Sequence, residues 1–154
     1  MAETTQYSFD ELSRLDRLDV DHLKSLFTIE LGGEGFYTRL AAGVTNPQAA
    51  ALLIRNGREE ASHAKRLRRA ISAKLGSAFI PDESHLPAAA SLAPIPFTPE
   101  LVPRLMAAER DGEAIYQRWA AHETNADAAR LLLLNAHDEA MHARRIERVA
   151  ALLF

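Results

Sequence analysis

The 154-residue chain contains no cysteine, which excludes disulfides, cysteine nucleophiles, cysteine-ligated zinc and every iron–sulfur or rubredoxin-type centre. Any metal must then be held by nitrogen and oxygen. Long apolar runs are missing too. The greasiest stretches, AAALLI and RLLLLNA, fall far short of the roughly 20 residues that span a bilayer, and the Ala-rich segment 88–97 is broken by Pro94 and Pro96. The opening MAETTQYSFDEL carries neither a basic leader nor the apolar stretch of a secretory signal. A soluble, cytoplasmic protein without a membrane partner is expected. A broad basic field is absent as well: the formal net charge is −3, so nucleic acid is not an expected partner. Glycine and proline are scarce at seven each, and prolines at 81, 87, 94, 96, 99 and 103 mark the middle of the chain as the place where regular structure stops.

What remains is helical in pattern. Length and a 47% hydrophobic content fit a single domain, 1–154, with one core. A first helical stretch begins near Ser8, where SFDE offers a capping box with Glu11, restarts at Asp19 and runs to about Gly43. Asn46 and Pro47 open a second helix that reaches Leu75 and closes at Gly76. Residues 77–97 form a long connection. TPEL then caps a third helix at Thr98 and Pro99, ending near His122, and Asn125 caps a fourth that reaches the C-terminus. The fold class is therefore all-α: two helical hairpins joined by a long crossover, the connectivity of a ferritin-like four-helix bundle.

An internal repeat supports this. Sliding residues 30–71 onto 109–150 without a gap makes roughly half of them identical: ELGGEGFYTRLA meets ERDGEAIYQRWA, and TNPQAAALLIRNGREEASHAKRL meets TNADAARLLLLNAHDEAMHARRI. A duplicated hairpin predicts a pseudo-twofold bundle with equivalent positions facing each other.

The repeat spells one chemical pattern twice. Glu60 and His63 lie three apart and share a helix face, as do Glu139 and His142, 79 residues later. In the first helix Glu30, Glu34 and Tyr37 fall on the apolar stripe with Leu23, Phe27, Ala41 and Val44, so two carboxylates interrupt it. Glu30 lies fifteen residues before Thr45 and Glu60 fifteen after it, and Glu109 and Glu139 straddle Thr124 identically. In antiparallel hairpins these positions share one level, about 22 Å from the bend. Four Glu and two His then converge in one mid-bundle layer. Burying four carboxylates costs several kcal/mol per ion unless opposed. Two divalent cations would oppose them, and oxygen with imidazole donors suits iron or manganese, with zinc as an in vitro substitute.

The pattern resembles the ferritin-like di-iron carboxylate superfamily, most closely rubrerythrin-type domains, over residues 8–154. The resemblance implies two iron ions, with Glu30 and Glu109 as terminal ligands, Glu60 and Glu139 as bridges, and one iron each on His63 and His142. Tyr37 and Tyr116, seven residues after the lone Glu of each half, match a position often held by Tyr in that superfamily. They are candidate catalytic residues, read first as hydrogen-bond donors to a ligand carboxylate and second as redox-active groups. Glu34 and Glu113 are candidate extra or transient metal ligands, with hydrogen bonding to Arg or water as the alternative. Asn56 and Asn135 are read either as supports behind the ligands or as local backbone caps. His22, His85, His122 and His137 have no partner in the repeat and are read as surface residues. Rubrerythrin helices carry a further glutamate three residues after the third-helix ligand. Gly112 stands there in this chain, which weighs against iron that changes partners with redox state.

The function this implies is a di-iron oxidoreductase that reduces H2O2 or O2, with peroxide scavenging favoured, an external electron donor and a homodimeric state expected. Ferritin-like iron oxidation and sequestration, a di-iron hydroxylase and a metal-free structural bundle are the alternatives. Gly32, Gly33 and Gly35 either admit a small oxidant or let helices approach closely.

Overall fold

Caps written into the sequence set most of the helix starts. Ser8 Oγ accepts from the Glu11 N–H while the Glu11 carboxylate accepts from the Ser8 N–H, and this box opens α1, Phe9–Ser13. Asp19 and His22 form the same box at the head of α2, Val20–Ala42. Asn46 accepts from the Gln48 and Ala49 N–H groups to start α3, Pro47–Leu75, with Pro47 where its missing N–H costs nothing. Gly76 ends α3 at φ +69°, in the left-handed region that favours glycine. Asn125 accepts from the Ala128 N–H at the start of α5, Ala126–Leu153.

The exception is α4, Leu101–His122, which begins two residues later than TPEL suggests. The Thr98 carbonyl accepts from the Leu101 N–H at 3.0 Å, so residues 99 and 100 close a turn. Glu100 then precedes the helix without any side-chain cap.

These elements build a ferritin-like four-helix bundle in a computed structural model that describes residues 5–154. The first four residues of the acidic opening lie outside the described residues. The α2–α3 hairpin packs on the α4–α5 hairpin through α3 and α5, whereas α2 and α4 approach each other less closely than the other neighbouring pairs. α1 folds across one end, where the Trp119 indole N–H donates to the Leu15 carbonyl at 2.9 Å and Phe9 meets the indole edge-on.

The crossover is tied along α2 at both ends. Near its start Phe79 packs edge-on against Phe27 and the Thr28 hydroxyl donates to the His85 carbonyl at 2.8 Å. Near its end the Ile95 N–H donates to the Arg39 carbonyl at 3.0 Å. Gly43 makes room for this passage, since a Cβ there would lie 2.0 Å from the Ile95 carbonyl oxygen. His85, expected at the surface, is buried instead. A 3-10 turn at Glu83–His85 places its ring edge-on against Phe79, with Nδ1 at 2.8 Å from Asp82.

The core comes in two parts. One apolar cluster gathers Leu23, Leu26, Leu67, Ile71, Trp119 and Leu132, and the other Leu40, Leu53, Leu105, Ile146 and Val149. Positions 30, 60, 63, 109, 139 and 142 fall between them on all four long helices. A charged layer thus interrupts the apolar interior at mid-height. Among the described residues, no helix is long and apolar enough to cross a membrane.

Candidate metal centre

The six repeat-related residues meet in that layer. His63 Nδ1 lies 3.5 Å from Glu30, 3.3 Å from Glu60 and 3.5 Å from Glu139. His142 Nδ1 lies 3.3 Å from Glu60, 3.4 Å from Glu109 and 3.7 Å from Glu139. The two imidazoles stack at 5.4 Å. Two groups of donor atoms emerge, each with all its atoms within 4.8 Å of one another: Glu30, Glu60, His63 and Glu139 in one, Glu60, Glu109, Glu139 and His142 in the other. Glu60 and Glu139 belong to both, and each group draws on both hairpins.

Both His Nδ1 atoms are fully buried without a hydrogen-bond partner. Such orphans are rare in folded proteins and call for an explanation. A metal ion is a natural one, because a neutral imidazole nitrogen aimed at several carboxylates lacks only the cation.

Burial and mutual charge set the carboxylates of the layer apart. Burial pushes Glu30 up to about 7, with the Glu60 charge adding to it. Burial also raises Glu139 well above the carboxylate range, aided by the closeness of Glu109 and Glu30. Glu60 and Glu109 go the other way. Burial alone would raise both, but the close approach of His142 and His63 holds Glu60 down, and that of Glu139 and His142 holds Glu109 down. Burial alone would lower His142, yet Glu109, Glu59 and Glu60 together raise it to about 10. His63 is raised in the same way by Asp138, Glu30 and Glu60. Two divalent cations with four carboxylates and two neutral imidazoles sum to zero charge, so the donor set fits such a pair.

The tyrosines cross between hairpins. The Tyr37 hydroxyl on α2 donates to Glu109 on α4, and the Tyr116 hydroxyl on α4 donates to Glu30 on α2. Burial raises both phenols above their ordinary value, and the facing carboxylates reinforce it. Both therefore stay protonated donors.

A set of residues that the helix-face reading passed over stands behind the histidines. Glu59 accepts from His142 Nε2 at 3.2 Å and is held by Arg145 at 2.6 and 3.0 Å. Asp138 lies 3.5 Å from His63 Nε2 and is held by Arg66 at 2.6 Å. Glu59 and Asp138 are repeat equivalents, as are Arg66 and Arg145. Burial opposes ionisation of each acid, but its histidine and arginine hold it down at about 2. Asn56 and Asn135 turn out to act across the bundle: Asn56 donates to the His142 carbonyl and accepts from Arg145, while Asn135 donates to the His63 carbonyl and accepts from Arg66.

Glu34 and Glu113 do not join the layer. Glu34 is exposed, and Glu113 is half-buried at the outer side of α4, where it accepts from Gln117 at 3.3 Å. Neither carboxylate is in either donor group. Four residues beyond Glu30 and Glu109, these positions are carried round to the rim of the apolar stripe by the helical twist of about 40° per four residues.

Gly33 and Gly112, three residues after Glu30 and Glu109, let α2 and α4 approach the inner carboxylates. A Cβ on Gly33 would lie 2.8 Å from Glu60 Cγ, and one on Gly112 would lie 3.2 Å from Glu139 Cδ. Between α2 and α4 a cavity of about 220 Å³ leads from solvent past Phe9, Ile29 and Phe36 to Glu30, Glu60, Glu109 and Glu139. Gly32 and Gly35 border no such contact.

A protein-family model described as Rubrerythrin matches residues 21–149. No curated protein and no solved structure matches the chain.

Proposed function

The chain belongs to the rubrerythrin family, and on that premise we propose that it is a non-haem di-iron oxidoreductase that reduces H2O2, or O2 more slowly, with electrons from an external carrier. The observation that carries the dinuclear reading is the sharing of Glu60 and Glu139 between two four-donor groups. Bridging carboxylates between paired metals are the plainest use of such an overlap. Glu30 and His63 would complete one position, Glu109 and His142 the other. When bound, the iron pair supplies the redox capacity that the cysteine-free protein lacks.

The protein groups have separable tasks. Glu59 and Asp138 face the Nε2 atoms, which leaves Nδ1 of each histidine free for the metal. Tyr37 and Tyr116 engage one oxygen of Glu109 and Glu30 and leave the other turned to the layer. Gly33 and Gly112 put no side chain of their own against Glu60 and Glu139, so a small oxidant reaches the carboxylates through the cavity. Phe9, Ile29 and Phe36 give that entry an apolar lining, which suits small oxidants over charged metabolites.

Anaerobic loading of the metal-free protein with Fe(II), followed by metal counting, tests the proposal. About two iron ions per chain are expected. Near-ultraviolet absorbance should then rise faster with H2O2 than with O2. A stoichiometry of one or none would sink the dinuclear reading, and faster oxidation by O2 would remove the preference for peroxide.

A further inference from the structure

The duplicated halves agree inside the bundle and disagree on its surface. Residues 55–74 of α3 hold seven of the chain's 18 basic residues and two of its 21 acidic ones. Of those two, Glu60 turns into the layer and Glu59 is shared between Arg145 and Arg55. Arg55, Arg58, Lys65 and Arg69 all lie on the outer face, within about 80° of helix circumference and over about 21 Å, and all four are exposed. Arg68 joins Lys65 and Arg69 around a shallow depression beside the crossover.

The equivalent stretch of α5, residues 134–153, is balanced, with three basic and three acidic residues. Leu134, His137 and Glu147 stand where α3 carries Arg55, Arg58 and Arg68, while Arg144 and Arg148 keep the charge of Lys65 and Arg69. Like charges three and four residues apart repel on a helix, and among the described residues no ion pair relieves Arg58, Lys65 or Arg69. The fold and the layer do not need Arg55 and Arg58, because α5 manages both with Leu134 and His137 in their places.

We propose that the cationic face of α3 docks a small acidic electron-carrier protein, an assignment that rests on the oxidoreductase reading. Three observations favour this occupant. The chain has no cysteine and so no thiolate-based relay of its own, and reducing peroxide takes two electrons: H2O2 + 2 e⁻ + 2 H⁺ gives two H2O. Two encounters with a one-electron carrier, each leaving the carrier oxidised by one electron, close that balance, with the protons drawn from solvent. Next, the patch adjoins the layer. Arg66, beside Lys65, grips Asp138 at 2.6 Å, and Asp138 faces His63 Nε2 at 3.5 Å. Finally, the remainder of the chain carries 11 basic against 19 acidic residues. A long polyanion such as a nucleic acid would run off the patch onto repelling surface, whereas a compact acidic protein would not.

The test uses the full chain with and without iron. Labelled flavodoxin and a [2Fe–2S] ferredoxin, both small acidic carriers, are titrated in at about 20 mM salt, beside a short DNA duplex and phosphatidylglycerol vesicles as rival anions. At least one carrier should bind to both forms of the protein, with affinity falling at least tenfold by about 200 mM salt. The triple variant R58E/K65E/R69E should lose at least tenfold, with unchanged circular dichroism and melting temperature, while R144E/R148E on α5 should bind as wild type. With iron loaded and H2O2 supplied, oxidation of the reduced carrier should slow at least tenfold in the triple variant, while reduction by dithionite stays the same. Binding of carrier to a chain that takes up no iron would uphold the docking face and defeat the oxidoreductase reading. Failure of both carriers to bind, equal binding by the triple variant, or tighter binding of DNA or vesicles would overturn the docking proposal.

Discussion

Glu59 accepts from the far nitrogen of His142 and Asp138 faces that of His63, and each acid is itself clamped by an arginine from the histidine's own helix. Such outer partners typically alter metal affinity 10–100-fold when changed. Glu59→Gln and Asp138→Asn are therefore expected to weaken Fe(II) binding by about that factor with little change in fold, read by competition against a chelator. Titration gives a second prediction. His142 binds its proton up to about 10 in the metal-free protein, against an ordinary value of 6.5, so its contribution to stability is complete below pH 6.5 and is lost as pH rises to 10. Glu30, raised to about 7, loses its own contribution between pH 4.5 and 7. Thermal melts of the metal-free chain should fall steadily over that alkaline range, and iron uptake near pH 6 should release protons measurable in a pH-stat. The six central residues were legible because the repeat places acid and imidazole at matching heights in both copies. Glu59 and Asp138 were not, since one residue before Glu60 and Glu139 a helix has turned by about 100° and the position reads as solvent-facing. The signal lay in the repeat itself, which keeps an acid at 59 and 138 and an arginine at 66 and 145.

Among the elements, the helix starts at Ser8, Asp19, Asn46 and Asn125 were readable because side-chain caps announce them. That of α4 was not, because a backbone turn from Thr98 does the work. The crossover hid Phe79, His85 and Phe97, which are buried, since a segment without periodicity gives no face to assign. Its passage over Gly43 is tight enough to test. Gly43→Ala should destabilise the fold by about 1–3 kcal/mol, because the crossover must shift away from the new methyl group. The glycines of α2 separate in the same way. Gly33→Ala forces the methyl against Glu60 and should lower both stability and metal affinity. Gly32→Ala meets nothing within 4 Å and should stabilise by about 0.5–1 kcal/mol through helix propensity. Paired urea melts of the two variants would show opposite signs, and a loss in both would contradict the assigned contacts.

For the molecule as a whole, the charged layer parts the apolar interior, so cohesion across mid-height depends on what neutralises it. At metal concentrations of about 100 times the dissociation constant, each site should add about 2.7 kcal/mol, which for a chain of this length raises the melting temperature by about 5–10 °C per site, or about 10–20 °C for the pair. Chelator-treated and iron-loaded samples compared by calorimetry would give that difference directly, and identical curves would mean that the layer is held together without metal. Neither hairpin owns a complete set of donors, because every group that closes a set reaches over from the opposite half. A peptide of the first hairpin alone, freed of its partner and its strap, would carry everything needed to complete a twin of itself, and adding metal to it should solder two such halves into a symmetric miniature of the whole.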